Sequence, residues 1–177
     1  MKKIALIAAV DENWGIGYRN ELLFHLKKDM EFFREKTMGN IVVMGRKTLE
    51  SFPGENPLPN RVNLVLTKNN KEKLQKKYRS HNPAPVIVES WEEGEEQIQS
   101  LEGDVFVIGG GEIYREFLSR ASDVYLTRVE SQKTADTYFP DMSRQGEWSV
   151  SSVSEEFREG ELNYRFWHYQ RRNIPED

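Results

Sequence analysis

The segment D-V-F-V-I-G-G-G-E-I-Y-R-E-F-L, residues 104–118, decides the fold that we predict for this chain. Residues 105–108 have the length and β-branched content of a buried strand, and the residues after the glycines have helical spacing of their apolar members: Ile113, Tyr114, Phe117 and Leu118. A strand, glycines and a helix bring bare backbone N–H groups up to a phosphate. A tight turn that needs a positive φ is the simpler interpretation. Three consecutive glycines exceed that need, so residues 109–111 indicate a nucleotide or dinucleotide site.

The same order of strand, glycine and helix occurs earlier in the chain. Residues 41–44 are a candidate for a buried strand, and Gly45 leads through Arg46 and Lys47 into a short helix that ends near Ser51. Two positively charged side chains at the start of a helix favour the binding of an anion. Taken singly, Arg46 and Lys47 have a simpler interpretation as solvated surface charges. The segment is not a Walker A loop, because its glycine spacing is too long and Arg46 stands where that motif has lysine.

The length and composition of the chain limit the classes of protein to which it can belong. The 177 residues suffice for one well-buried core, and 37% hydrophobic with 31% charged residues is typical of a soluble globular domain. A net charge of −4 without a basic arm argues against nucleic-acid binding, and the absence of cysteine fits a reducing cytoplasm. The apolar run 4–10 meets Asp11 and Glu12 at once, so it predicts a buried strand rather than a signal peptide. No run is long enough for a membrane span, and no apolar surface stripe stands out, so we expect a monomer.

Strands and helices alternate along most of the chain. We predict strands at 4–10, 41–44, 61–66, 86–88, 105–108 and 124–129. We predict helices at 26–36, about 45–51, 71–77, 91–101 and 113–118, with a capping box of Ser90 and Glu93 before the fourth. Residues 147–154 and 163–170 predict an antiparallel hairpin at a sheet edge. The predicted loops are 11–20, 52–60 and 136–140.

This pattern predicts an α/β fold in a single domain, residues 1–177. Its centre is a mostly parallel twisted sheet of about eight strands, with an antiparallel C-terminal hairpin strand and helices on both faces. Ligands bind beyond the carboxyl ends of the strands in such sheets. We therefore expect Ala9, Gly45, Ile108 and Thr127 to converge on a cleft, with Thr127 and Tyr125 on one face of their strand.

The first predicted helix carries one charge in an unexpected place. Its apolar stripe is Leu26, Met30 and Phe33, and Asp29 falls beside this stripe rather than in the solvated arc. A carboxylate among aromatic residues must be neutralised, hydrogen-bonded or kept for a purpose. An acidic residue near a helix N-terminus is also favoured by the helix dipole. Position alone leaves both interpretations open.

Several kinds of site are excluded. The three histidines, His25, His81 and His168, lack ligand spacing, so we expect no metal. A G-x-S-x-G elbow is absent, and Tyr114 stands where a Rossmann fingerprint needs its third glycine. A dinucleotide held by two glycine turns and nearby cations remains, together with one misplaced carboxylate. Redox chemistry on a protonatable heterocycle fits these parts.

The sequence resembles a known family, dihydrofolate reductase, over essentially the whole chain. Besides the helix that carries Asp29, seven segments in the family's order carry the resemblance: L-I-A-A-V-D at 6–11, G-I-G-Y-R-N-E-L at 15–22, V-V-M-G-R-K-T-L-E-S-F at 42–52, P-L-P-N-R at 57–61, V-I-G-G-G-E-I-Y at 107–114, Y-L-T at 125–127 and D-T-Y-F-P at 136–140. Together they are highly specific, although no one of them would be so alone.

The resemblance implies NADPH-dependent reduction of 7,8-dihydrofolate to 5,6,7,8-tetrahydrofolate, with hydride delivered to C6 and a proton to N5. It implies a catalytic set of Asp29, Thr127, Leu22 and Tyr114, in which Asp29 holds the pterin and Thr127 bridges to that carboxylate. The residues implied for binding of the substrate or of antifolate inhibitors are Ile7, Ala8, Asp29, Met30, Phe33, Ser51, Phe52, Leu58, Arg61, Ile108 and Thr127. Among them, Arg61 would clamp the glutamate carboxylate of the substrate.

For the cofactor, NADPH, the resemblance implies a second set of residues. They are Ala9, Ile16, Asn20, Gly45, Arg46, Lys47, Thr48, Leu66, Thr67, Lys68, Ile108, Gly110, Gly111, Glu112, Ile113, Tyr114 and Thr137. Residues of about 40–104 would form an adenosine-binding subdomain. The family also implies a cis peptide bond between Gly109 and Gly110.

Three departures from the family pattern bear on these expectations. Leu23 and Phe24 stand where bacterial members usually have Pro-Trp, and Leu22 replaces the usual methionine of the mobile loop. The apolar residues 22–24 interrupt a polar loop, and such residues often line a ligand site, although packing onto the core is their commoner fate. Glu112 occupies a position that is often basic, which weakens the preference for NADPH over NADH slightly.

Two other functions stay open as alternatives. One is a pyrimidine reductase of riboflavin synthesis, which needs neither Asp29 as a pterin partner nor Arg61 as a clamp. The other is a non-catalytic nucleotide-binding module. Oxidation of NADPH on addition of dihydrofolate, but not of other pyrimidines, distinguishes the first interpretation from both.

Overall fold

The computed structural model describes residues 2–172, which form twelve strands and five α-helices. In chain order the strands are β1 (Ile4–Val10), β2 (Gly15–Tyr18), β3 (Glu21–Leu22), β4 (Ile41–Gly45), β5 (Val62–Leu66), β6 (Val86–Val88), β7 (Val105–Gly109), β8 (Asp123–Val129), β9 (Thr137–Tyr138), β10 (Trp148–Val153), β11 (Phe157–Glu159) and β12 (Leu162–Arg171). The helices are α1 (Lys27–Thr37), α2 (Arg46–Ser51), α3 (Lys71–Tyr78), α4 (Trp91–Ile98) and α5 (Gly111–Phe117).

The main sheet has the strand order β10-β12-β8-β1-β7-β4-β5-β6, with β11 paired to β12. The pairings from β8 through to β6 are parallel, and those of β12 with β8, β10 and β11 are antiparallel. This confirms the predicted fold class. The predicted antiparallel hairpin at a sheet edge is confirmed too: β12 pairs with β8 and β10, and β10 forms the edge of the sheet.

Helices cover both faces of the sheet, as predicted. On one face, α4 and α5 contribute Trp91, Ile98 and Phe117 to the larger core cluster. On the other face, α1, α2 and α3 pack side chains such as Leu49 and Leu74 into a second cluster. Central strands are therefore buried on both sides, which explains why they read as continuous apolar runs rather than as alternating patterns.

A second, small sheet lies where the sequence predicts loops. Its strand order is β3-β2-β9, and Gly15 and Gly17 of β2 pair with Tyr138 and Thr137 of β9. The prediction of loops at 11–20 and 136–140 was therefore wrong in part. The partners are more than a hundred residues apart, and strands this short carry no local alternation that could reveal them.

The structure also shows where individual helices end and which loop residues are buried. Helix α4 ends at Ile98 rather than at residue 101, and Pro53–Glu55 form a 3₁₀ turn inside the predicted loop. The Glu93 N–H donates to the Ser90 hydroxyl, as the capping box predicts, while the Glu93 carboxylate accepts from Glu89 N–H. Of the two possible fates of the apolar loop residues, Phe24 takes the commoner one: it is buried in a third cluster with Leu26, Val129 and Tyr164. No helix within residues 2–172 is long and apolar enough to cross a membrane.

A buried carboxylate joins the C-terminal strand to the centre of the sheet. Asp123 opens β8 and is 2% exposed. Its oxygens lie 2.6 Å from Ser122 Oγ, 2.7 Å from His168 Nε2, 3.3 Å from Gln170 Nε2 and 3.4 Å from Lys3 Nζ. Burial alone would raise the pKa of Asp123, but these donors outweigh it and hold the pKa below its ordinary value.

The substitution Asp123→Asn is expected to reduce the free energy of unfolding at neutral pH by about 1–3 kcal/mol. Because the folded-state pKa of Asp123 is depressed, its stabilisation is complete above the unfolded-state pKa and is lost as pH falls through the folded-state pKa. The deficit of the variant should therefore shrink below pH ~4. Urea unfolding at a series of pH values measures it.

The exposed Asp104 supplies the matched control, since Asp104→Asn should change stability by less than about 0.5 kcal/mol at any pH. A deficit of Asp123→Asn that persists unchanged into acid would contradict the role given to the ionised carboxylate.

Candidate active site

The sheet brings the predicted site strands together at one edge. In β1 and β8, Ala9 pairs with Thr127, so the carboxyl halves of these two strands are neighbours. Gly109 at the end of β7 pairs with Met44, next to Gly45 at the end of β4. Gly45 in turn pairs with the end of β5. Parallel strands end at a common edge, and the cleft expected there is built from these ends.

Asp29 and Thr127 are in contact at this carboxyl end of the central strands. Asp29 lies in the first turn of α1, and the Thr127 hydroxyl donates to Asp29 Oδ1 at 2.5 Å. Thr127 is 1% exposed, so its hydroxyl is held in one place by β8. On the same face of β8, Tyr125 contacts Phe32 of α1, with ring centroids 6.1 Å apart. The alternation predicted for Tyr125 and Thr127 therefore orients both residues towards α1.

The environment of Asp29 combines the two interpretations that the sequence left open. The residue is in a first helical turn, where the helix dipole favours a negative charge. It is also half-buried, and burial raises its pKa, while the hydrogen bond from Thr127 lowers the pKa in part. Burial is the larger effect, so this carboxyl group binds a proton more tightly than an exposed aspartate does. A carboxyl group with a shifted pKa in a cleft is a candidate for proton chemistry.

Tyr114 is buried beneath the same cleft. Its hydroxyl donates to the Ile7 carbonyl oxygen at 2.7 Å, which links α5 to β1. Burial, and then the charge of Asp29, raise the pKa of Tyr114, so the phenol stays protonated. Because a backbone carbonyl oxygen has two lone pairs, Ile7 can still accept a hydrogen bond from a ligand.

The two glycine turns face each other. The peptide bond between Gly109 and Gly110 is cis, as the family resemblance implies, and Gly109 has φ +133°, a conformation that favours glycine. A Cβ on Gly109 would lie 3.4 Å from Thr48 Oγ1, and one on Gly111 would lie 3.0 Å from Thr137 Cγ2. A Cβ on Gly45 would be 3.4 Å from Ile113. The segments predicted to hold the cofactor are thus in mutual contact.

The predicted cofactor cations differ in their surroundings. Arg46 Nη1 lies 2.8 Å from Glu50 Oε1, so part of its guanidinium is engaged by a neighbour on α2. Lys47 and Lys68 are exposed and so is Glu112 at the start of α5. The bare glycine backbone, the two exposed lysines and the buried Ile16 fit a nicotinamide dinucleotide, which needs room for phosphates and an apolar surface for its ring.

Arg61 lies just before β5 and is half-buried. Its Nε donates to the Pro59 carbonyl at 2.9 Å, and its Nη1 donates to Thr37 Oγ1 at 3.1 Å. Burial, followed by the nearby charge of Arg34, lowers the pKa of Arg61. Thr37, the last residue of α1, also donates to the Phe33 carbonyl at 2.8 Å. The sequence analysis missed Thr37, because only the tertiary structure brings the end of α1 to Arg61.

The remaining predicted site residues divide by exposure. Those that are half-buried at the second core cluster or on β1 are Ala8, Ala9, Phe33, Phe52, Leu58 and Ile108. Met30 is 59% exposed and Leu22 is 65% exposed, which are high values for apolar side chains. Ser51 is exposed and donates to the Thr48 carbonyl, and Asn20 is exposed in the turn between β2 and β3. Leu66 and Thr67 are buried where β5 ends.

A parallel sheet covered on both faces, with paired glycine turns and a carboxyl group of raised pKa at the strand ends, defines an α/β oxidoreductase of the nicotinamide-dependent class. The family model for dihydrofolate reductase matches residues 3–171. The chain belongs to the dihydrofolate reductase family.

Individual relatives agree with the family match. The chain is 32% identical over 162 residues to the dihydrofolate reductase of Haemophilus influenzae, covering 92% of each protein, and 34% identical over 153 residues to that of Staphylococcus aureus, covering 86% of each. It is 34% identical to the bifunctional dihydrofolate reductase-thymidylate synthase of Paramecium tetraurelia but spans only 36% of that protein's length. A solved structure, Enterococcus faecalis dihydrofolate reductase complexed with NADP(H) and RAB-propyl, has a TM-score of 0.82 and 29% identity, with 97% of each chain covered.

The substitution Thr127→Val is expected to raise the pKa of Asp29 further, because the hydrogen bond from Thr127 is what partly offsets the effect of burial. An NMR titration of the Asp29 carboxyl carbon measures this pKa. The exposed Thr134 provides the control substitution Thr134→Val, which should leave the pKa unchanged. A pKa of Asp29 that stayed the same or fell in Thr127→Val would refute the assigned balance.

Proposed function

We propose that Asp29 and its neighbours hold the pterin of dihydrofolate, and that the two glycine turns hold NADPH. As a member of the dihydrofolate reductase family, the chain is an oxidoreductase that reduces 7,8-dihydrofolate to 5,6,7,8-tetrahydrofolate with NADPH. One observation carries the assignment of residues: the half-buried Asp29 carboxyl group, fixed by Thr127 at 2.5 Å, lies at the carboxyl ends of the central strands.

Asp29 is the proton-side partner in this proposal. Its carboxylate accepts hydrogen bonds from the pterin amino group and the adjacent ring nitrogen, and so favours the protonated form of the substrate at N5. A charge that is fixed in a water-poor cleft acts on a ring more strongly than the same charge in water. Thr127 keeps the carboxylate in one orientation, since the donor belongs to a rigid strand.

NADPH, when bound, supplies the hydride that reaches C6. Ala9 and Ile16 give the nicotinamide an apolar surface and limit the access of water, while the buried Tyr114 supports β1 beneath it through Ile7. Backbone N–H groups at Gly45 and at 110–111 face the phosphates. The segment 40–104, with Leu66, Thr67 and Lys68 at the end of β5, receives the adenosine half.

Arg61 clamps the glutamate carboxylate at the far end of the substrate. Two of its donors are already used by the Pro59 carbonyl and Thr37 Oγ1, and these two contacts hold the guanidinium plane in place. The remaining N–H groups form a fork that matches a carboxylate. The apolar side chains of Met30, Phe33, Phe52 and Leu58 lie along the substrate between Asp29 and this clamp.

The departures from the family pattern adjust this proposal. Leu22, at 65% exposure, is the apolar residue that closes over the ring. Phe24 has no indole N–H and is packed in its own cluster, so it cannot hold a water by hydrogen bonding. Lys47 and Lys68, rather than Arg46 alone, meet the 2′-phosphate, because Glu50 engages Arg46. We infer further that the protein acts in the cytoplasm as a monomer without a nucleic-acid partner, which its lack of cysteine and net charge of −4 support.

The substitution Asp29→Asn is expected to reduce the rate at neutral pH by about a hundredfold or more, with partial recovery in acid, where solvent protonates the substrate. Initial rates of dihydrofolate-dependent NADPH oxidation over a pH series measure it. The matched control is Glu31→Gln, an exposed change on the same helix, which should keep the rate.

The free energy of unfolding of Asp29→Asn shows whether a loss of activity comes from the missing carboxylate or from a failure to fold. The folded-state pKa of Asp29 is raised, so its ionised form costs stability above that pKa, and the cost disappears as pH falls. Asp29→Asn should therefore be at least as stable as the natural protein at neutral pH. An unchanged rate at neutral pH in a folded Asp29→Asn protein would show that Asp29 is not the proton-side partner.

The substitution Arg61→Ala is expected to raise the KM for dihydrofolate by about tenfold to a hundredfold, because a charge-assisted contact is lost. The Kd for NADPH should stay nearly the same. Thr37→Val should show a smaller effect in the same direction, and the exposed Arg79→Ala should show none. Equal losses of affinity for both ligands in Arg61→Ala would contradict the clamp.

A further inference from the structure

Three of the four tryptophans line one cleft on the sheet face opposite Asp29, and two of them stack on the guanidinium of Arg128 while Arg171 stacks on the third. Arg128 follows Thr127 on β8, so its side chain leaves the other face of the strand. Its guanidinium carbon lies 4.9 Å from the ring centroid of Trp14 and 4.4 Å from that of Trp167. The third, Trp148, is 4% exposed on the neighbouring edge strand β10.

These residues line a cleft of about 240 Å³, which we call the tryptophan cleft. Its main lining residues are Trp14, Arg128, Met142, Trp148, Trp167 and Tyr169. A second cleft of about 300 Å³ shares Arg128 and Trp167 but also contains Asp11, Glu12 and Glu130. The two clefts therefore differ in charge: the lining of the tryptophan cleft includes one arginine and no carboxylate.

The guanidinium of Arg128 has N–H donors that are not used by the hydrogen bond to Tyr169. Its Nη1 donates to the Tyr169 hydroxyl at 3.3 Å, and it forms no salt bridge with a carboxylate in residues 2–172. The carboxylate of Asp141, whose charge also acts on Tyr169, is engaged by Ser143 and Arg144. The carboxylates that line the second cleft form no salt bridge with Arg128 within residues 2–172, so this half-buried guanidinium keeps N–H donors for an anion in the tryptophan cleft.

The cleft is lined by a second polar aromatic side chain besides Tyr169. The Trp148 indole N–H is buried below the cleft surface and, among the described residues, has no hydrogen-bond acceptor. Burial raises the pKa of Tyr169, so its phenol stays a neutral hydrogen-bond group. The lining thus presents flat aromatic faces, the guanidinium of Arg128 and the hydroxyl of Tyr169, which match a flat ring that carries acceptor oxygens.

We propose that the tryptophan cleft binds small planar aromatic carboxylates, with the carboxylate on Arg128 and the ring against the indoles. The volume of about 240 Å³ lies below the roughly 300–1,000 Å³ of drug-sized ligand sites, so the cleft suits an acid of at most two rings and excludes a dinucleotide. The site is separate from the one beside Asp29, because Thr127 and Arg128 face opposite sides of β8. The inference does not rest on the proposed function.

The test uses nitrogen-labelled protein saturated with NADPH and methotrexate, so that an added acid cannot occupy the folate site. The probe is indole-3-acetate, and the matched uncharged probe is indole-3-acetamide. NMR of the four indole N–H signals, assigned with single Trp→Phe variants, follows the titration. We expect saturable shifts for Trp14, Trp148 and Trp167, none for Trp91 on α4, and binding of the amide weaker by about tenfold or more.

Arg128→Gln should weaken binding of the acid about tenfold or more, whereas Arg120→Gln, which removes a cation near Glu92 and Phe117, should leave it unchanged. Absence of saturable shifts, equal binding of acid and amide, or equal shifts at Trp91 would overturn the proposal. If Arg128→Gln disturbs the indoles themselves, the comparison of acid with amide on the unaltered protein still decides the question.

Discussion

The parallel register of β1 with β8 is the constraint on which both faces of the molecule depend. It sets Ala9 beside Thr127 and Val10 beside Arg128, at the carboxyl ends where a parallel sheet presents its ligands. Since side chains alternate along a strand, Thr127 meets Asp29 on one face and Arg128 meets the tryptophans on the other. A slip of one residue would exchange the two environments, which the buried core on each face forbids.

At Asp29, three physical effects compete on one carboxyl group. Burial raises its pKa, the hydroxyl of Thr127 lowers it, and the position in the first turn of α1 favours the charge. Burial dominates, yet a hydroxyl at 2.5 Å keeps the group oriented. The result is a carboxyl group that is held in one orientation and binds a proton more tightly than an exposed aspartate does.

In the two glycine turns, which form the proposed cofactor site, close packing of the backbone is a stronger constraint than charge. Contacts at 3.0–3.4 Å from the Cβ positions of Gly45, Gly109 and Gly111 leave little room for larger residues at these turns. The cations are less uniform, because Arg46 is paired with Glu50 and Glu112 adds a negative charge nearby. In the proposed cofactor site, the fit of the glycine backbone therefore comes before the charges of Lys47 and Lys68.

The sequence by itself determined the apolar strands, their alternation with helices, the two glycine turns and, through its motifs, the family. These features are local: a buried strand between covering helices is a continuous apolar run, and a strand-glycine-helix order is legible within fifteen residues. The odd position of Asp29 was visible too, but its meaning was not. The family resemblance implied that Thr127 bridges to Asp29, and only the tertiary structure decided that the two side chains are directly hydrogen-bonded. Only the tertiary structure decided, too, that Thr37 supports Arg61, that Phe24 is buried, and that β2, β3 and β9 form a second sheet. Each of these depends on partners far apart in the chain, whose contact follows from packing and leaves no periodic trace in either segment.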